Sequence, residues 1–188
     1  MAKKAESTLI NMLLSLTVIA VVAGAILALV SGVTAEPIAK AEQAKTENAI
    51  KAVLPDFDHL ETKDIDGIAC NLAYTADNNL VGIAVPATSK KGFGGDLGIM
   101  YGFDAEGNIT GYQVLKTAET PGLGAKAAEW FQKGAKGDVI GKNPGTNNIT
   151  VSKDGGEVDA ISGSTITSRA FCDAIAIAYE LYKKGVNE

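Results

Sequence analysis

Histidine occurs once in the 188 residues, at His59, and tryptophan once, at Trp130. A single imidazole with no ligand spacing to Cys70 or to an acidic cluster argues against a metal centre, and none is expected. The two cysteines, Cys70 and Cys172, make no disulfide framework, and separate burial as small apolar side chains is expected. Gly-x-Ser-x-Gly is missing, and a hydrolase acting through Ser162 or Ser164 would have only His59 for a base. No dense stripe of Lys and Arg occurs and the net charge is −5, which argues against a nucleic-acid partner. Charge is also lacking between Glu6 and Glu36, and that absence is informative.

The uncharged block, residues 7–35, exceeds the ~20 residues a helix needs to cross a hydrocarbon core and is too long for a signal-peptide core. A permanent single-pass anchor is expected, following a cytoplasmic terminus of residues 1–6. Ala20, Gly24, Ala28 and Gly32 recur every four residues, a small-residue face on which another helix could pack. Lys3 and Lys4 precede the block, whereas Lys40, Lys45 and Lys51 follow it among glutamates, a mild preference for an internal N-terminus. Residues 36–55 are rich in Ala, Glu, Lys and Gln, with Pro37 at the expected first helical position and Pro55 closing the run. The partial stripe of Ile38, Ala41, Ala49, Ala52 and Val53 suits a surface stalk.

From residue 56 to residue 188 the pattern is that of one α+β domain. Residues 68–74 and 80–87 read as a hairpin around the turn-rich 75–79, and residues 97–103 and 108–116 as a second around 104–107. The second follows a glycine-rich loop at 92–96. A helix is expected over 126–133, with Trp130 and Phe131 in the core. Residues 134–148 read as loop and 149–152 as an edge strand. A closing helix from Thr167 to about Lys184 carries Ala170, Phe171, Ala174, Ile175, Ile177, Ala178 and Leu181 on the face that packs on the sheet.

Two loops carry chemistry. In Glu119-Thr120-Pro121-Gly122-Leu123-Gly124, Pro121 fixes a turn, and Gly122 and Gly124 allow backbone to approach a planar ligand. Asp159-Ala160-Ile161-Ser162-Gly163-Ser164-Thr165 is small and hydroxyl-rich and leads into the last helix, where unpaired N–H groups and the helix dipole favour a phosphate. Hydroxyls there also serve as ordinary N-caps.

The second stretch resembles the flavinylation motif of the FMN-binding subunits of the Rnf and sodium-pumping NADH:quinone oxidoreductase complexes. The first resembles the same family's Glu-Thr-Pro-Gly-Leu-Gly loop at every position, and Gly92 to Lys116 looks like its flavin-binding lobe. Ser164 stands where alanine is usual, placing a second hydroxyl beside Thr165.

The resemblance spans nearly the whole chain and implies a small membrane-anchored flavoprotein subunit of the Rnf electron-transport complex. Its fold would be a transmembrane helix followed by a compact FMN-binding domain of antiparallel sheet and packed helices. It implies FMN joined through its phosphate to Thr165 by a flavin transferase, with Ser162, Gly163 and Ser164 shaping the loop. Glu119, Thr120, Gly122, Leu123 and Gly124 would flank the flavin, and Asp159 would serve recognition by the transferase. The partners implied are the other membrane and redox subunits of the complex, with the domain on the outer or periplasmic face of the inner membrane. Electron relay is implied, with no independent catalysis. The FMN subunit of a sodium-pumping NADH:quinone oxidoreductase is the neighbouring alternative, and a non-redox, membrane-anchored binding module the distant one.

Overall fold

Short polar turns separate the apolar runs between positions 59 and 116, so each strand pairs with the one before it. The computed structural model, which describes residues 8–187, accordingly contains a five-stranded antiparallel meander in the order β1-β2-β3-β4-β5. Its strands are β1 His59–Ile65, β2 Ile68–Tyr74, β3 Leu80–Ser89, β4 Leu97–Asp104 and β5 Ile109–Lys116. Both expected hairpins are present. Sequence patterning missed β1, a charged edge strand exposed over most of its length, which an Asp66-Gly67 turn with φ of 55° and 79° joins to β2.

On one face of the sheet lies the closing helix α3, Thr165–Asn187, which begins two residues earlier than its apolar pattern suggested. Phe171, Ala174, Ile175 and Ala178 pack there with Ile83, Val85, Leu97, Ile99, Tyr101 and Phe103 in the main core. Phe171 stacks on Phe131 at 4.0 Å between ring centres and meets Tyr112 edge-on at 4.8 Å. Both cysteines are buried in this core as free thiols, as expected, and burial pushes Cys70 up to about 11 and Cys172 to about 12.

The opposite face receives the end of α1, Leu9–Val53. Ala49, Ile50, Val53 and Leu54 form a second, smaller core with Ala73, Ala84 and Met100. Three glycines on adjacent strands make the seat: a Cβ on Gly102 would strike the Val53 carbonyl, and Cβ atoms on Gly111 and Gly82 would come within 3.1 and 3.2 Å of Val53 and Leu54. Some of the glycine density therefore belongs to close packing, beyond turns. Lys45 also donates to the Leu115 carbonyl.

The expected break at residue 36 is not a helix boundary. Pro37 lies inside the continuous α1, where it removes one N–H donor toward the carbonyl four residues back. The expected stalk stripe is divided: Ile38 and Ala52 are exposed, whereas Ala49 and Val53 are buried. By compactness the chain divides into Met1–Ala44 and Lys45–Glu188. In the first unit α1 is long and apolar enough to cross a membrane, with a mean hydropathy of 2.8 in its most apolar stretch. Gly24 and Gly32 on its small-residue face have open space around them. Lys3, Lys4 and the rest of the expected cytoplasmic terminus lie outside the described residues.

The expected helix over 126–133 shrinks to a 3₁₀ turn, Gly124–Lys126, and one α-helical turn, α2, Ala127–Trp130. Beyond it the chain turns through i−3 bonds, with the Gln132 N–H on the Glu129 carbonyl at 3.3 Å, and the Phe131 N–H meets the Tyr112 hydroxyl at 3.2 Å. The expected edge strand at 149–152 is a single parallel bridge between Val151 and Val158.

Candidate flavin site

Glu119 is the junction of the site. The residue is 8% exposed; Oε1 accepts from the Gly94 N–H at 3.2 Å and Oε2 from the Thr167 hydroxyl at 2.9 Å. One side chain thus ties together the glycine-rich loop, the 119–124 loop and the first turn of α3. Gly124 makes this possible: a Cβ there would abut Glu119 Oε2 and lie 2.7 Å from Thr167 Oγ1. Gly122 has a different task, a turn with φ of 77° and open space beside it.

The hydroxyl-rich loop is fixed from below. Gly163 adopts φ of 77°, and the buried Ser168 Oγ accepts from the Ile161 N–H at 2.9 Å and donates to the Ser164 carbonyl at 3.0 Å. The Ser168 N–H bonds the same carbonyl, so Ser164 opens α3 and the N–H groups of Thr165, Ile166 and Thr167 have no partner within the helix. Ser164 is buried at 8% exposure, whereas Thr165 is only half-buried. Lys153 Nζ donates to Thr165 Oγ1 at 3.1 Å. At the start of the motif, the Trp130 indole N–H holds the Asp159 carbonyl at 2.9 Å while the residue itself stays exposed.

These walls enclose an open cavity of about 390 Å³ lined by both motifs: Glu119, Thr120, Leu123 and Gly124 from one, Gly163, Ser164 and Thr165 from the other. Ser162 and Gly122 do not line it. Phe93, Lys153, Ile166 and Thr167 complete the lining, and sequence reasoning assigned none of them a role. Phe93 and Thr167 lay within runs already singled out. Lys153 had no local signal, because its partner is twelve residues away. Three apolar side chains from separate segments, Phe93, Leu123 and Ile166, stand exposed at this cavity. An apolar rim with a few convergent polar groups suits a ligand with a flat aromatic body and a polar tail.

Residues 92–180, which contain both loops and every residue lining the cavity, match the family described as FMN-binding domain. Full-length relatives extend the likeness to the N-terminal helix. The G subunit of the Na(+)-translocating ferredoxin:NAD(+) oxidoreductase complex of Acetobacterium woodii is 32% identical, over 90% of this chain and 89% of that relative. The chain belongs to this G-subunit family. The G subunits of the ion-translocating oxidoreductase complexes of Methanosarcina acetivorans, 32% identical over 90% of this chain and 92% of the relative, and of Aliivibrio fischeri, 31% identical over 90% and 88%, lie at similar distance. A crystal structure of Shewanella oneidensis NqrC shares 18% identity with a TM-score of 0.45, covering 72% of this chain and 71% of that one.

FMN fits what this member of the G-subunit family presents. The rim offers apolar surface to a planar ring, and the Thr165 hydroxyl, the Lys153 ammonium and the first turn of α3, whose N–H groups have no acceptor within the helix, gather at one side of the cavity, a set suited to a phosphate. Among the described residues no group of His, Cys, Asp and Glu is arranged to hold a metal ion.

Proposed function

We propose that the chain is the membrane-anchored flavoprotein subunit of an ion-translocating ferredoxin:NAD oxidoreductase complex, relaying electrons through FMN joined by a phosphoester to Thr165. The observation that carries this reading is the meeting of the two sequence motifs in one cavity with the Thr165 hydroxyl at its edge. Bound there, FMN supplies the redox chemistry. The chain's own residues position it: Glu119 holds the three loops in register, Phe93, Leu123 and Ile166 cover the ring, and Ser168 fixes the loop that presents Thr165. Ser162 and Gly163 shape that loop, and Thr120 contributes a polar contact.

The half-buried Thr165 and the buried Ser164 favour Thr165 as the acceptor. Asp159, exposed beside them, is offered to the flavin transferase that matures the site. A phosphoester leaves the isoalloxazine unmodified and prevents loss of FMN on the outer side of the membrane, where a dissociated cofactor would not be replaced. The other membrane and redox subunits of the complex serve as electron donor and acceptor, so this one needs no substrate of its own.

Intact-mass measurement of the full chain, produced with its flavin transferase, tests the assignment. The wild type and Ser164→Ala should carry the added mass of one FMN less one water, and Thr165→Ala should lack it. Flavin retained by Thr165→Ala but lost from Ser164→Ala would move the attachment by one residue. A wild-type protein without the added mass would refute covalent attachment.

A further inference from the structure

Lys153 sits on the 3₁₀ turn Ser152–Asp154, outside both motifs, and its ammonium reaches Thr165 Oγ1 at 3.1 Å. The turn is held where it must be for that reach. Val151 and Val158 form a bridge, the Ser152 N–H bonds the Val158 carbonyl at 2.8 Å, and the Gly156 N–H bonds the Val151 carbonyl at 3.1 Å. Asp154, the next residue, receives both Arg169 Nε and one terminal nitrogen at 2.7 Å each. Arg169 lies four residues after Thr165 in α3, one helical turn along the same face. The turn bearing Lys153 is therefore clipped to the helix that bears Thr165, and the one carboxylate adjacent to Lys153 in sequence is engaged by Arg169.

A neutral hydroxyl makes little use of an ammonium held in this way. Esterification changes that, because a phosphodiester places an ionised, non-bridging oxygen two bonds from Oγ1, within reach of Nζ without rearrangement of the turn. We infer that Lys153 is the counter-charge and positioning residue of the phosphoester, with the Asp154–Arg169 pair acting as its brace. The inference rests on Thr165 as the attachment point proposed above.

Phosphorus-31 resonance of the flavinylated full chain reads the environment of the ester directly, alongside intact mass for loading and visible circular dichroism for the fixed orientation of the flavin. Lys153→Met keeps the aliphatic stem and removes the charge. It should move the phosphorus resonance away from the wild-type position and weaken the flavin's dichroism, and Lys153→Arg should restore both. Asp154→Asn, which loosens the brace and leaves Lys153 in place, should broaden or partly shift the same resonance. Lys153→Met left unloaded while Lys153→Arg is loaded would also support a required positive charge at this position. A Lys153→Met resonance and dichroism equal to wild type, or loading lost equally from the Met and Arg variants with the fold intact, would overturn the inference. Thr165→Ala separates the two claims: flavin retained on that variant sinks the attachment site, whereas a clean loss there with an unchanged Lys153→Met spectrum sinks only the role of Lys153.

Discussion

At the scale of single residues, the site depends on where a side chain is absent as much as on where one is present. Gly122 and Gly124 look alike in sequence, two glycines of one loop, yet their structural reasons differ. Gly122 takes a left-handed φ of 77° with nothing near its missing Cβ. Gly124 keeps clear the space between Glu119 and Thr167, whose hydrogen bond of 2.9 Å closes the cavity wall. The two alanine variants should therefore separate. Gly122→Ala should cost about 1–2 kcal/mol of stability through backbone strain and leave FMN loading unchanged. Gly124→Ala should cost about 1–3 kcal/mol by forcing the loops apart and should lose most of the loading. Urea midpoints and intact mass measure the two effects, and equal loading of both variants would show that the Glu119–Thr167 contact does not shape the site.

At the scale of elements, α1 ends on a surface that the sheet has flattened for it. Gly102 and Gly111 are register partners on β4 and β5, Gly82 lies on β3 two residues off that pair, opposite Asp104, and the Thr110 hydroxyl donates to the Val53 carbonyl at 2.5 Å. A methyl at position 102 would run into that carbonyl and into Thr110 Oγ1, so Gly102→Ala should lower stability by about 1–3 kcal/mol. Gly98→Ala is the control on the same strand: the added methyl would lie 3.3 Å from Lys116 Cβ, which needs a shift of only a few tenths of an ångström, and it should cost less. Denaturant midpoints of the two variants decide, and a Gly98→Ala loss as large as that of Gly102→Ala would refute the seat. Such packing was illegible beforehand, because glycine in a strand gives the same local signal whether it bends the chain or admits a helix. The two hairpins and α3 were legible, because apolar runs and turn residues there agree with the final fold. Strand β1 was not, since an edge strand with charged, exposed positions lacks the alternation that marks a buried face. The motif loops were recognisable as residues, but that they meet around one cavity depends on Glu119 reaching Gly94 and Thr167 across the chain.

At the scale of the whole molecule, an apolar helix long enough to cross a membrane and an FMN-binding domain belong to one chain, which makes the side of the membrane a question about cofactor retention. A cytoplasmic flavoprotein can replace FMN that dissociates, whereas a domain on the outer face cannot, and the proposed phosphoester to Thr165 would remove that vulnerability. Charge points mildly the same way: Lys3 and Lys4 precede the apolar block without acidic companions except Glu6, and the lysines after it are interleaved with Glu36, Glu42 and Glu47. Long domains translocate largely regardless of their own charge, so the net charge of −5 does not oppose export. The domain after residue 36 should therefore face outward with the N-terminus inside. Protease added to cells with a permeabilised outer barrier and an intact cytoplasmic membrane should remove the domain, releasing fragments that carry flavin while a cytoplasmic marker stays whole. Protection of the domain until the cytoplasmic membrane is broken would reverse the topology. It would also remove the retention argument, leaving covalent attachment, if found, to be explained by positioning of the ring alone.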